Sequence, residues 1–60
     1  MHRYFIDFFS DETLIIKNEN CPVPSRDDEV YVKGQRYVVI SLLIDLDHSR
    51  VQIYLKNRSL

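Results

Sequence analysis

The side chains best equipped for chemistry in this sequence are few and scattered. His48 stands between Asp47 and Ser49. A carboxylate beside an imidazole is the material of general acid–base catalysis. Asp and Ser are also the residues that turns select for backbone reasons, and that reading accounts for the triplet without any reaction. His2 lies at the end of the chain, where an imidazole reads as a spectator. Cys21 is the single cysteine. A nucleophilic thiolate needs a neighbouring base or cation. No histidine is near it in sequence, and Pro22 follows directly, so it reads as an ordinary thiol.

Metal chemistry is supported no better. Zinc takes four ligands from Cys, His, Asp or Glu, and one cysteine with two separated histidines offers no spaced pair. Asp45 and Asp47 resemble the start of a calcium loop, but neither the glycine nor the closing glutamate follows at the required spacing. Asp27-Asp28-Glu29 has the oxygens for magnesium, and reads more simply as a solvated turn before a strand. The one glycine, Gly34, cannot build a phosphate cradle. The expectation is a chain that is not an enzyme and carries no cofactor and no metal.

What remains is surface. The chain has 60 residues, of which 45% are hydrophobic and 12% aromatic, with no tryptophan. That is one domain, residues 1–60. A domain of this size buries only roughly 60% of the surface its unfolded chain exposes, so association is a natural source of further stability. The formal net charge is −1, but it is unevenly spread. Residues 1–29 hold three cations against seven carboxylates, and residues 30–60 hold five against two. A lone cysteine fits a reducing compartment. The first residues lack the pattern of a secretory signal, and no run approaches the ~20 apolar residues of a membrane span.

The elements that would carry a surface are strands. Residues 3–9 are rich in aromatics, Ser10-Asp11-Glu12 reads as a tight turn, and residues 13–17 form a second strand. Phe5 also pairs with Phe8 and Phe9 at helical spacing, so a helix stays open as the alternative there. Residues 18–28 are an irregular loop, since Pro22 and Pro24 remove backbone donors. Val30 and Val32 alternate with Tyr31 and Lys33, and Gly34 predicts a hairpin turn. Residues 36–46 form a long strand that is apolar on both faces near its middle. It needs either a bulge around residues 40–42 or cover on both sides. Val51, Ile53 and Leu55 alternate with Gln52, Tyr54 and Lys56 in a last strand. The fold class is all-β: a hairpin, a proline loop and a three-strand meander, curled into a small five-stranded barrel.

The stretch from Pro24 to Val39 resembles the front of small SH3-like barrels: a proline, an acidic turn, a Val-x-Val strand, a glycine turn and a Tyr-x-Val strand. The tail, Asp45-Leu46-Asp47 and then Val51-Gln52-Ile53-Tyr54-Leu55, resembles their closing hairpin. The match covers residues 24–56. Short chains of this type are typical of bacteriophages and prophages, so the resemblance implies a small factor in the cytoplasm of a bacterial host. Its motifs are structural and imply no activity.

Two surfaces follow. If the valines and Ile53 face inward, then Tyr31, Lys33, Tyr54 and Lys56 face outward, with Arg36, Arg50 and Arg58 near the rim. Tyr and Arg anchor protein interfaces, and the same mixture stacks bases and holds phosphates. Along the first strand, Tyr4, Ile6 and Phe8 share one face, and Phe5 and Phe9 the other. A small barrel cannot bury both, and exposed aromatics mark association. The candidate partner-binding residues are therefore Tyr31, Lys33, Arg36, Tyr54, Lys56, Phe5 and Phe9. The sequence reads as a protein-interaction module with a protein partner, an option of self-association, and no membrane contact. A nucleic-acid-binding barrel is the alternative, which the net charge disfavours.

Overall fold

The structure, a computed structural model, describes residues 4–58 and, at Asn18, the backbone alone. Five strands follow in order: β1 Phe5–Ser10, β2 Thr13–Glu19, β3 Glu29–Val32, β4 Gln35–Asp45 and β5 Arg50–Asn57. They form one sheet in the order β2-β1-β5-β4-β3, curled into a half-barrel. Both units read from the sequence are present. β1 and β2 make the first hairpin around a turn at Asp11 and Glu12, so this segment is a strand pair and not a helix. β3, β4 and β5 make the antiparallel meander. The joint between them is new: β1 runs parallel to β5, with Ile6 opposite Val51 and Phe8 opposite Ile53.

The turns explain the hairpins. Lys33 and Gly34 both have positive φ, 51° and 81°, and join Val32 to Gln35. Two such residues in succession give the turn whose twist suits a tight hairpin. A Cβ on Gly34 would meet nothing within 4 Å, so glycine is required there by its backbone angle alone. The β1–β2 turn uses the same geometry without glycine: Asp11 and Glu12 have φ of 50° and 63°. In the proline loop, Asp28 N–H donates to the Ser25 carbonyl, while the Asp28 carboxylate accepts from Ser25 N–H at 2.7 Å. Asp27 takes a φ of 75° in that turn.

The inner face of the sheet is the core. Ile6, Phe8, Val32, Val39, Val51, Ile53 and Leu55 are buried, and Tyr37, Leu42, Ile16, Val30 and Cys21 pack against them. The long apolar run of β4 is reconciled with one core by a bulge at Ile40. Val39 faces Leu55 and Ser41 faces Tyr54, so Ile40 is an extra residue. After it, Leu42 opposes Ile53 and Ile44 opposes Val51 on the inner side. Without the bulge, Ser41 and Leu43 would take the inner positions.

This register makes a sharp contrast between neighbours. Ile53 is fully buried, so Ile53→Ala should lose about 2–5 kcal/mol in urea unfolding. Tyr54 is half-buried on the outer face, and Tyr54→Ala should cost about 1 kcal/mol. Equal, large losses from both would contradict the register.

Candidate interaction surface

The outer face is a set of cross-strand rows, and it gathers the residues that the sequence singled out. Residues directly opposite one another share a face. Phe5 lies opposite Arg50, Phe9 opposite Tyr54, and Tyr31 opposite Arg36. Lys56 lies opposite Val38, and Lys33 stands in the turn. The seven candidates spread along the length of the sheet and form separate groups.

At one end, a cleft of about 380 Å³ is lined by Tyr31, Gly34, Gln35, Arg36 and Arg58. The Arg36 guanidinium lies over the Tyr31 ring, 5.9 Å from its centroid. Arg58 joins because its N–H donates to the Arg36 carbonyl at 2.9 Å, which extends the β4–β5 ladder. Tyr31 is 70% exposed. Glu29 stands 4.0 Å from Arg36, both side chains half in solvent, and so neutralises little of its charge.

In the middle, Phe9 stacks on Tyr54 with centroids 5.4 Å apart and planes at 21°. The Tyr54 hydroxyl donates to Gln52 Oε1 at 2.7 Å. Of the two faces of β1, Ile6 and Phe8 are core, Phe5 is exposed and Phe9 is half-buried.

Next to this stack, Asp7 forms a two-pronged pair with Arg50. Arg50 Nη2 donates to both carboxylate oxygens at 3.0 Å. Asp7 is 8% exposed, the one buried charged residue among those described. Sequence reasoning missed it, because the partners lie 43 positions apart.

At the far end, residues 46–49 turn the chain from β4 to β5. The Asp45 carboxylate accepts from the backbone N–H groups of Asp47 and His48, at 3.0 and 3.3 Å. His48 Nδ1 lies 2.9 Å from Asp45 Oδ2. With the carboxylate accepting, Nδ1 carries the proton. The histidine of this turn thus pairs with Asp45 and not with the adjacent Asp47, and the pair closes a loop. The hydrogen bond from His48 holds the Asp45 carboxyl below the usual carboxylate range. Burial pushes the Cys21 thiol up, and the charge of Glu19 adds to the shift, so the sulfur stays a protonated thiol at neutral pH. His2 lies outside the described residues. Among them, no three His, Cys, Asp or Glu side chains group as a metal site, and no helix is long and apolar enough to cross a membrane.

β4 itself adds a feature that the sequence did not reveal. β3 pairs only with residues 35–38 of β4. The Asp27 N–H and Asp28 carbonyl then bond the Val39 carbonyl and N–H, both at 2.8 Å. Beyond Val39, β4 pairs with β5 on one side, and no described strand lies on the other. That open length carries Ile40, Leu43 and Ile44, which are 47%, 52% and 56% exposed, and Leu46, 75% exposed, follows it at the start of the turn.

The Asp45 interaction has a definite pH dependence. A carboxyl whose pKa is lowered by folding stabilises the fold above its ordinary value of about 3.9, and that stabilisation is lost as pH falls through the lowered one. An NMR titration should place the Asp45 midpoint below the ordinary value, and His48→Ala should raise it. A midpoint at or above the ordinary value would contradict the closed turn. Comparison of the chain with protein-family models, with curated proteins and with solved structures finds no match.

Proposed function

We propose that this chain is a non-enzymatic protein-interaction module that takes up an extended strand along the open part of β4. One observation carries this reading: β4 has eleven residues, and its outer edge is covered only as far as Val39. Unpaired strand edges recruit other strands, and proteins normally guard them with lysine, proline or a covering loop. The other edges have such guards. β2 carries Lys17 and Glu19, and β3 is only four residues long and begins at Glu29. Residues 40–44 carry no charge and no proline, and expose three large apolar side chains. A strand added here would gain main-chain hydrogen bonds along the edge and apolar contacts at alternate positions. The likeness in pattern of residues 24–56 to SH3-like barrels is what suggests a bacteriophage or prophage factor that docks on a host or viral protein.

A second reading rests on the cleft. Tyr31 with Arg36 and Arg58 is a stacking platform flanked by cations, the arrangement that holds single-stranded nucleic acid. Lys33 and Lys56 lie on the same end of the sheet.

Selection from a randomised peptide library separates the two. The module reading expects extended, β-branched sequences whose binding is lost in Ile44→Asp and kept in Arg36→Ala. No enrichment, or binding indifferent to Ile44→Asp, would overturn it. The second reading expects a short oligothymidine to bind at low salt, to release at high salt, and to be lost in Arg36→Ala.

A further inference from the structure

We infer that the strand taken up by β4 is the same segment of a second copy, so that two chains join edge to edge about a two-fold axis at Leu43. The inference rests on the module reading and names its partner. The argument is one of register. In a two-fold antiparallel pair with its axis normal to the sheet, opposing residues share a face. Centred on Leu43, the pairing sets Leu42 against Ile44 of the second copy and Leu43 against its own counterpart. Leu42 and Ile44 both belong to the inner face, since they oppose Ile53 and Val51. The apolar lining of one half-barrel therefore continues into the other. Leu43, opposite Gln52, lies on the outer face with its twin. Ile40 comes opposite Leu46, and Ser41 comes opposite Asp45 with a hydroxyl to offer its carboxylate. Every exposed apolar residue of the open length meets an apolar one.

Neighbouring registers fail on the same criteria. A centre at Ile44 places Leu43 against Asp45 and leaves a carboxylate facing a leucine. A centre at Leu42 runs the partner strand onto Val39, whose outward N–H and carbonyl are already taken by Asp28 and Asp27. A centre between two residues sets inner positions against outer ones. The open edge of β4 ends at Asp45, so a Leu43-centred pair runs through residues 41–45 and brings Ile40 up to Leu46 at the start of the second copy's turn. The contact is small beside a standard interface of about 800 Å² per partner, so the dimer exchanges with monomer on dilution.

The test is solution mass by light scattering, diluting from about 1 mM to about 1 µM, where interfaces of this size exchange. The expected result is a mass that climbs to the dimer and no further. Leu43→Lys, which sets two ammonium groups face to face, should weaken association at least about tenfold while circular dichroism keeps the strand signal. A cross-link gives an independent readout. Directly opposed residues in a sheet lie within disulfide range. The variant Cys21→Ser/Leu43→Cys should therefore oxidise to a covalent dimer, and Cys21→Ser/Tyr31→Cys should lag far behind. Monomer mass at every concentration would overturn the inference. So would a mass growing past the dimer, the mark of an open array, or a dimer unchanged by Leu43→Lys. A chain that stays monomeric yet binds selected peptides in an Ile44-dependent way removes the second copy and leaves the module reading standing.

Discussion

The fold depends on one seam. The β1–β2 hairpin and the β3–β4–β5 meander are each local, and only the parallel pairing of β1 with β5 makes them one sheet. On the inner side, Ile6 against Val51 and Phe8 against Ile53 put four buried side chains across the joint. On the outer side, Asp7 and Arg50 clamp it with a two-pronged ion pair, and Phe9 stacks on Tyr54 one row further on. A carboxylate this buried is costly to desolvate, and its geometry with arginine must be good to recover that cost. The pair thus selects a register: a shift of one residue would turn Asp7 into the core and Phe8 out of it.

The same seam decides where the molecule is left open. With β5 held between β1 and β4, the half-barrel ends at β2 on one side and at β3 and β4 on the other. β3 is four residues long and cannot cover an eleven-residue neighbour. The bulge at Ile40 then turns Leu42 and Ile44 inward at a place where the inner face has run out of cover. Apolar exposure near residues 40–46 follows from topology, and it is the feature that the proposed association would satisfy. The cationic cleft at Tyr31, Arg36 and Arg58 lies at the opposite end of β4, so the two surfaces need not compete.

Much of the architecture was legible in local pattern. The alternation of Val51, Ile53 and Leu55 with Gln52, Tyr54 and Lys56 reports the inner and outer faces of β5 directly. Gly34 marks its turn because that turn needs positive φ. The run from Val38 to Ile44, apolar except for Ser41, calls for a bulge or for cover on both sides, and a bulge is present. What was not legible is non-local. Asp7 reads as a polar gap among aromatics until Arg50, 43 positions on, is brought beside it. Parallel pairing of the first and last strands leaves no trace in either one's own periodicity. The exposure of Leu43, Ile44 and Leu46 is likewise hidden, because an apolar run reads as core whether or not a neighbour arrives to cover it. The outward direction of Tyr31, Tyr54 and Lys56 follows from alternation, while the division of the candidates into a cleft, a stack and a lone Phe5 depends on which strands adjoin.

The most direct test of this account is a double-mutant cycle on the seam, measured by urea unfolding. Arg50→Met alone should lose about 2–3 kcal/mol, because it leaves the Asp7 carboxylate buried without its clamp. Adding Asp7→Asn should return most of that loss, with a coupling energy above the roughly 0.2–1 kcal/mol of exposed pairs. Two small, additive effects would contradict the account, since β1 and β5 would then be held together without the ion pair.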